Sequence, residues 1–180
     1  LVICAGPWAA KLIPELNSLA VAERQVLAWL QPTRPQLFQL GAFPVFNLEV
    51  EEGRYYGFPS FLVPGFKFGK YHHRGEVVDP DGVNREPDQD DEELLRGFAR
   101  RYFPEGAGAT LMLKSCLFTN SPDRHFILDL HPDHPEVAIA AGFSGHGYKF
   151  CSVVGEIMAD LAERGETRHD IGFFGLKRFA

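Results

Sequence analysis

The sequence predicts an α+β protein in which an antiparallel or mixed sheet is flanked by helices. One indication is an aromatic block over residues 43–71, broken repeatedly by glycine and proline, which is typical of short strands joined by hairpin turns. A second is the segment 92–103, with carboxylates in its first turn and arginines in its last, which favours a helix. A third is the order of strand, glycine-rich loop and helix over residues 137–164.

The first sixteen residues predict a strand, a tight turn and a short helix. Residues 1–5 are mostly apolar and predict a buried strand, while Gly6 and Pro7 predict the turn before a helix over residues 8–16. A buried strand needs neighbours on both sides, yet the chain begins inside it, with neither an initiator methionine nor a polar lead-in. We therefore expect the chain to be the C-terminal part of a longer protein.

Further elements follow along the chain. Residues 19–30 slightly favour a strand, because β-branched and aliphatic residues alternate there with polar ones. A turn is predicted at residues 79–82, and strands at 109–120 and 126–130. Residues 148–164 predict a long helix with its apolar side chains on one face.

A segment with three glycines, residues 142–150, leads into this last helix. Gly142, Gly145 and Gly147 carry no Cβ, so the backbone there can come close to something flat or charged. A helix N-terminus adds unpaired N–H groups, which predicts an electron-rich oxygen or an anion as the guest. The spacing G-x-x-G-x-G differs from the dinucleotide fingerprint. Gly165 is predicted to end the helix.

Composition narrows the class of protein. The chain has 180 residues, 45% of them hydrophobic, which is enough for one well-buried domain or for part of a larger protein. Its formal net charge of -6 argues against a nucleic-acid partner. No segment resembles a membrane span or a secretory leader, so we expect a soluble, cytoplasmic protein. Cys4, Cys116 and Cys151 lack C-x-x-C spacing and indicate neither a disulfide framework nor a zinc site.

Two common kinds of catalytic site are disfavoured by spacing. The histidines form neither H-E-x-x-H nor a zinc-type pattern, so no metal site is predicted. The run from Gly142 to Gly145 contains Ser144, but it misses the nucleophile elbow Gly-x-Ser-x-Gly by one residue.

Three single residues leave both a functional and an ordinary interpretation open. Cys116 is either an inert buried thiol or a reactive one. Lys67 lies within an aromatic strand and Lys149 at a helix start, and lysines usually extend to water. If either lysine were enclosed, its charge would require an electron-rich partner.

Several segments occur in the order found in one enzyme family. They are Gly57-Phe58-Pro59, Lys67-Phe68-Gly69, Asp79-Pro80, Cys116-Leu117-Phe118-Thr119, Ser121-Pro122-Asp123, His125-Phe126-Ile127-Leu128-Asp129 and residues 140–150. Together they resemble the monomeric sarcosine oxidase and N-methyltryptophan oxidase family over nearly the whole chain. The cysteine segment and the Gly-His-Gly-Tyr-Lys segment are the most specific.

The resemblance implies a fold and a cofactor. Members of that family are flavoproteins of the D-amino-acid-oxidase type, with a Rossmann-like FAD-binding domain and an antiparallel sheet domain that roofs the flavin. Residues 1–18 would then be a β-α remnant of the FAD domain, and residues 19–140 the substrate domain. Residues 141–180 would supply the flavin-contacting glycine loop, a helix and the C-terminal tail of the FAD domain. The family's dinucleotide fingerprint is absent from this chain.

The resemblance also implies roles for single residues around the flavin. Cys116 matches the cysteine that carries FAD through a covalent thioether, and Lys67 matches the lysine beside the flavin for dioxygen reduction. His72 matches the active-site histidine. His73 is the competing assignment, because this chain carries one extra residue near Lys70.

Other matched residues would contact the substrate or the flavin's pyrimidine end. Lys149 matches the lysine that helps to hold the substrate carboxylate, and Tyr56 matches a pocket tyrosine. Phe118 stands where sarcosine oxidases carry a second pocket tyrosine, which implies a more apolar amine than sarcosine. The backbone of Gly145, His146 and Gly147 would face the pyrimidine end of the flavin.

The implied activity is oxidation of secondary amines or N-methyl amino acids by an FAD-dependent oxidase, which yields an imine and hydrogen peroxide. The implied partners are the small amine, dioxygen and the missing N-terminal FAD domain, with no nucleic acid or membrane. The fragment alone is expected to be inactive. The alternative is a catalytically inactive ligand-binding or interaction domain on the same scaffold.

Overall fold

The computed structural model describes residues 1–180, which form two compact units. The first unit comprises Leu1–Glu23 and Leu117–Ala180, and the second comprises Arg24–Cys116. The strands and α-helices confirm the predicted α+β class. In chain order they are β1 (Val2–Ile3), α1 (Ala9–Leu12), β2 (Val21–Leu30), β3 (Phe46–Val50), β4 (Gly53–Phe58), β5 (Phe66–Lys70), α2 (Gln89–Tyr102), β6 (Thr110–Asn120), β7 (Ile127–Leu130), β8 (Ala138–Ala141) and α3 (Cys151–Arg164).

A five-stranded sheet organises the second unit, with the strand order β3-β4-β5-β2-β6. β3, β4 and β5 pair antiparallel in sequence, which confirms the hairpins predicted from the aromatic block. β5 pairs on its other side with β2, and Lys67 is the register partner of both Phe58 and Trp29. Backbone pairing therefore places Phe58, Lys67 and Trp29 side by side on three neighbouring strands.

Helix α2 begins at Gln89 rather than at residue 92, because Asp88 caps it. The Asp88 carboxylate accepts the N–H of Asp91, and the Asp91 carboxylate accepts the N–H of Asp88. The helix packs into the unit's core, where the ring of Phe98 stacks on Tyr55 with 3.7 Å between centroids. Phe66 and Phe68 of β5 belong to the same core.

A three-stranded sheet organises the first unit, with the order β1-β8-β7. β1 runs parallel to β8, and β7 runs antiparallel to it. The apolar face of α3 is buried in a cluster with Phe126 and Leu128. Gly165 ends the helix with φ of 73°, so the predicted order of strand, glycine loop and helix and the predicted helix end are both confirmed. Residues 148–150 form a 3-10 turn ahead of the α-helix.

The opening segment differs from the prediction. β1 covers only Val2–Ile3 and Leu1 is 72% exposed, so the predicted strand is present but shorter than residues 1–5, and its predicted burial is wrong. β8 is the one neighbour of β1 in its sheet, which leaves the other edge of β1 open. The predicted helix over residues 8–16 is reduced to α1 and two flanking 3-10 turns, because Pro14 has no N–H to continue the helix.

The borders of the two units differ from the predicted domain borders at residues 18/19 and 140/141. β7 and β8 belong to the first unit, because β8 pairs with β1. The assignment of residues 1–18, 19–140 and 141–180 to an FAD-binding and a substrate domain stays a prediction. No helix in residues 1–180 combines the length and apolarity that crossing a membrane requires.

Candidate functional site

Lys67 occupies an aromatic environment on the sheet of the second unit. Its neighbours Phe66 and Phe68 are fully buried in the core, so strand alternation directs Lys67 to the opposite face. There its Nζ lies 5.0 Å from the centroid of the Trp29 ring and 5.3 Å from that of the Phe58 ring. These are cation–π distances, and the half-buried ammonium is therefore held between two rings.

An apolar cavity of about 250 Å³ adjoins this ammonium. Its walls are formed by the rings of Trp29, Phe58 and Phe61, by Leu40, Val45 and Val63, and by Pro59 and Gly65. Lys67 is the only ionisable residue among the lining residues. The cavity therefore offers one positive charge in an otherwise apolar wall.

Cys116 is a half-buried free thiol in the same unit. Burial raises the pKa of the Cys116 thiol, and the positive charge of Lys67 lowers it in opposition. The structure thus brings together two of the residues predicted to serve the flavin. The lysine favours the thiolate, which is the reactive form of cysteine.

Tyr56 joins this cluster from β4. Burial is the main reason that the pKa of its phenol is raised, and negative charge on Cys116 or Tyr71 would raise that pKa further. Its ring lies 4.8 Å from the ring of Tyr71, and a Cβ on Gly69 would come within 2.8 Å of its hydroxyl oxygen. Gly69 therefore provides the space that Tyr56 fills, and Tyr56 stays protonated at neutral pH.

The two adjacent histidines have different environments. Both lie in a turn that follows β5 rather than in the strand itself. His73 is 1% exposed, and its Nε2 lies 3.0 Å from the Asp91 carboxylate. Burial lowers the pKa of His73, against the opposing charge of Asp91. His72 is half-buried and has φ of 54°. The ring of His73 is therefore committed to Asp91, whereas His72 occupies the unusual backbone position.

In the first unit, two glycines of the loop over residues 142–150 leave room for aromatic rings of the chain itself. A Cβ on Gly145 would lie 2.4 Å from the ring of Phe118, and one on Gly147 would lie 2.4 Å from the ring of Phe143. Gly145 also has φ of +76°. The flat groups that approach this backbone from one side are thus Phe118 and Phe143.

Ser144 fastens the loop rather than standing free as a nucleophile. Its buried hydroxyl donates to the carbonyl of Gly142 at 3.1 Å and accepts the N–H of Ser121 at 3.2 Å. Its own N–H donates to the carbonyl of Thr119 at 2.9 Å. These bonds hold Ser144 at φ of 49° and fix the shape of the loop.

His146 and Lys149 lie at the C-terminal side of the loop. The Nδ1 of His146 lies 3.0 Å from the carbonyl oxygen of Ser144, and its ring lies 5.0 Å from the ring of Phe126. Lys149 is exposed, and its Nζ donates to the carbonyl of His146 at 3.2 Å. The usual solvent-facing position of a lysine therefore describes Lys149 in this structure.

The loop also lines the larger cavity of the first unit, of about 590 Å³. Gly145, Gly147 and Phe118 form part of its wall, together with Cys4, Cys151 and Met158. Small-molecule sites commonly have volumes of roughly 300–1,000 Å³, so this cavity can hold a ring system. Metal-ligating side chains do not gather in groups of three or more anywhere in residues 1–180.

Comparison with known proteins assigns the family. Residues 1–161 match the family described as "FAD dependent oxidoreductase". The chain belongs to this family. Monomeric sarcosine oxidase from Bacillus sp. (strain NS-129) is 45% identical over 184 residues, which cover 100% of this chain and 47% of that enzyme. N-methyl-L-tryptophan oxidase from Escherichia coli is 39% identical over 182 residues, which cover 99% of this chain and 47% of that enzyme.

Solved structures agree with this FAD dependent oxidoreductase assignment at the level of the fold. Fructosyl amine:oxygen oxidoreductase (Amadoriase I) from Aspergillus fumigatus superposes with a TM-score of 0.77 at 18% identity, over 97% of this chain and 42% of that chain. NikD, an amino acid oxidase essential for nikkomycin biosynthesis, gives a TM-score of 0.74 at 20% identity. The chain spans about half the length of the curated relatives it matches.

The residues present fit the cofactor that the FAD dependent oxidoreductase family implies. The first-unit cavity combines mainly apolar walls with glycine backbone, which suits a flat ring. In the second unit, the Lys67 ammonium lowers the pKa of the Cys116 thiol, against the larger effect of burial. Trp29 was missed by the sequence analysis, although it is one of two tryptophans in the chain. Its place beside Lys67 depends on pairing between β2 and β5, which are not consecutive strands.

Proposed function

We propose that the protein containing this chain is an FAD-dependent oxidase of secondary amines, with N-methyl amino acids as its substrate class. The products would be an imine and hydrogen peroxide. The observation that carries the proposal is the 45% identity to a monomeric sarcosine oxidase along the whole chain. Because the chain covers 47% of that enzyme, the activity is proposed for the complete protein.

FAD, when bound, would accept a hydride equivalent from the amine and pass two electrons to dioxygen. The chain's own residues would bind, orient and supply charge. Lys149 is exposed at the start of a helical segment and would bind the substrate carboxylate as a cation. The pyrimidine end of the ring would face the backbone of Gly145, His146 and Gly147, as the resemblance to the sarcosine oxidase family implies.

Tyr56 and His72 are proposed to orient the amine. The pKa of Tyr56 is raised by burial, so its hydroxyl keeps its proton and can donate a hydrogen bond at neutral pH. His72 would supply a second polar contact from the turn after β5. Phe118 presents a ring without a hydroxyl, which favours an amine that carries an apolar group.

Lys67 is proposed to serve the dioxygen step. Its ammonium is partly shielded from water and held by Trp29 and Phe58. A fixed cation at such a place stabilises negative charge that develops on dioxygen, and it does so without reorganisation during the reaction.

The experiment that tests the function is peroxide formation by the full-length protein with a panel of N-methyl amino acids and their primary-amine counterparts. N-methyl amino acids with apolar side chains are expected to be oxidised faster than sarcosine, and the primary amines slowest. Lys149→Met should raise KM more than it lowers kcat, since it removes a carboxylate contact. Lys177→Met, an exposed control near the C-terminus, should change neither. Peroxide formation with none of the secondary amines would refute the proposal.

A covalent link between Cys116 and FAD is proposed separately. Burial raises the pKa of the Cys116 thiol overall, and the Lys67 charge is the one influence that lowers it and so favours the reactive thiolate. Full-length protein is expected to stay yellow after acid precipitation, and Cys116→Ala to lose that colour to the supernatant. Cys151→Ala changes an exposed thiol and should keep the colour in the pellet. A yellow Cys116→Ala pellet would exclude this tether.

A further inference from the structure

The turn that carries His72 is anchored by a buried group of polar side chains in the second unit. His73 Nε2 lies 3.0 Å from Asp91 Oδ1, and both side chains are fully buried. Arg24 donates to the two Asp91 oxygens at 3.0 and 2.7 Å. Asp91 also belongs to the capping box of α2, so the His73 side chain is attached to the N-terminus of that helix.

The charge states within this group follow from its hydrogen bonds. Burial raises the pKa of the Asp91 carboxyl, but the bonds from Arg24 and from the N–H of Asp88 lower it well below its usual range. Asp91 is therefore a carboxylate and can only accept. His73 must then carry its proton on Nε2, and its Nδ1 is buried without a hydrogen-bond partner. A buried nitrogen without a hydrogen-bond partner lowers the stability of the fold. An apolar side chain would fill the same space without that cost.

Backbone bonds extend the anchoring to the rest of the turn. The N–H of His73 donates to the side-chain oxygen of Gln25 at 3.1 Å. The N–H of Tyr71 donates to the carbonyl of Arg54 at 2.9 Å, and that of Gly75 to the carbonyl of His72 at 3.1 Å. Between these bonds, His72 is held at φ of 54°, a conformation that side chains with a Cβ rarely adopt.

We propose that His73 is a positioning residue, which uses its bond to Asp91 to hold Tyr71 and His72 beside Tyr56 in the candidate amine site. Tyr71 already packs on Tyr56, with 4.8 Å between ring centroids. Backbone strain of the kind seen at His72 persists where the surroundings fix it, and it concentrates at functional sites. The proposal rests on the proposed function for the role of His72 and Tyr56, but the anchoring itself does not.

The variants separate the hydrogen bond from the space that it occupies. His73→Leu keeps the bulk and removes the bond, and Asp91 keeps both bonds from Arg24. His73→Gln keeps an amide donor that can reach Asp91 and should restore the wild-type behaviour. Arg74→Gln is the matched control, because Arg74 contacts the same Asp91 oxygen at 3.4 Å from a side chain that is 37% exposed.

The first measurement is amide hydrogen exchange in the full-length protein. His73→Leu should speed exchange of residues 71–75 by about tenfold or more, the effect of losing a hydrogen bond to a charged group. Exchange in β5 should stay unchanged, because its protection comes from pairing with β2 and β4. Unchanged exchange in residues 71–75, or equal acceleration throughout β5, would overturn the proposal.

The second measurement separates the two half-reactions by stopped flow. His73→Leu should slow anaerobic bleaching of the flavin colour by the amine, by about tenfold, and leave the return of colour with dioxygen unchanged. His73→Gln should recover the bleaching rate. Equal slowing of both steps would assign His73 to general stability instead. If no secondary amine bleaches the flavin of the wild-type protein, the proposed function is refuted. Hydrogen exchange then tests by itself whether His73 anchors the turn.

Discussion

The protonation of Cys116 depends on two opposing influences, which are burial and the nearby Lys67 ammonium. The thiol pKa is raised by burial and lowered by the neighbouring ammonium, so the balance depends on one lysine. The second-unit cavity adds no other charge beside that lysine. Removal of the ammonium should therefore leave burial unopposed and raise the thiol pKa.

Lys67→Met is expected to shift alkylation of Cys116 to higher pH in the flavin-free full-length protein. Less thiolate exists at a given pH once the ammonium is gone, and the thiolate is the form that reacts. The measurement is the rate of iodoacetamide labelling of the Cys116 peptide as a function of pH. Lys70→Met, which removes a cation from the same strand, should leave the profile in place. An identical profile in Lys67→Met would mean that its charge does not reach the thiol.

Gly145→Ala is expected to destabilise the protein by about 2–4 kcal/mol, from overpacking and a left-handed backbone. The new Cβ would lie 2.4 Å from the Phe118 ring at φ of +76°. Urea unfolding gives the free energy. Phe118→Leu should recover part of the loss in the double variant, because it removes the clash and leaves the backbone strain. Gly155→Ala, where nothing lies within 4 Å, is the control. Additive effects of Gly145→Ala and Phe118→Leu would contradict the contact.

Motif resemblance could identify some residues of the candidate site but not the contacts that those residues make. Motif resemblance could single out Lys67, Cys116 and Lys149, because each lies in a recognisable segment. It could not place Trp29 over Lys67, since that contact requires knowledge of which strands pair. It also could not decide the environment of His73, which depends on Asp91 at the start of a distant helix.

Helix α2 is joined to the sheet of the second unit by the Arg24–Asp91 pair. Arg24 also donates to the carbonyls of Asn84 and Glu86, so one guanidinium organises the loop before the helix. Both partners in the pair are almost completely buried. The pair therefore resembles a buried ion pair, whose disruption is far more serious than that of a surface pair.

Arg24→Met is expected to destabilise the protein by about 3–5 kcal/mol, because it leaves the Asp91 carboxylate buried without its main partner. Arg101→Met removes an exposed ion pair with Glu52 and should change stability little. The comparison is made from urea unfolding midpoints and slopes. A loss in Arg24→Met no larger than in Arg101→Met would contradict the role assigned to the pair.

The same group should make the second unit sensitive to acid. The folded-state pKa of both His73 and Asp91 lies below its ordinary value, so the unfolded chain binds more protons as pH falls. The His73 contribution is lost as pH falls below about 6.5, and that of Asp91 below about 4. Tm should therefore drop on acidification from neutral pH, and the drop around pH 6 should be smaller in His73→Leu. His134→Leu changes an exposed histidine and is the control. Parallel pH curves for wild type and His73→Leu would contradict this origin.

At the element scale, local signals predicted most of the structure. Acidic and basic ends indicated α2, the aromatic block broken by glycine and proline indicated the hairpins of β3, β4 and β5, and Gly165 indicated the end of α3. The opening segment was mispredicted, because the apolar run of residues 1–5 indicates burial but not the number of neighbouring strands. The parallel pairing of β1 with β8 was not visible in the sequence, since it joins residues far apart in the chain.

The chain spans about half the length of the curated relatives that it matches. Each unit carries its own candidate residues: Tyr56, Lys67 and Cys116 lie in the second unit, and Phe118 and Lys149 lie in the first. The phosphate-binding fingerprint expected of the family is absent from its 180 residues. We therefore expect the isolated chain to form no peroxide with any amine that the full-length protein oxidises.

The proposed function is tested most sharply by anaerobic mixing of the full-length protein with an N-methyl amino acid that carries an apolar side chain. The yellow absorbance of the bound flavin is predicted to bleach with the amine alone and to return when dioxygen is admitted, with one peroxide formed per cycle. The isolated 180-residue chain serves as the negative control. A full-length protein whose flavin keeps its colour with every secondary amine would contradict the proposed function.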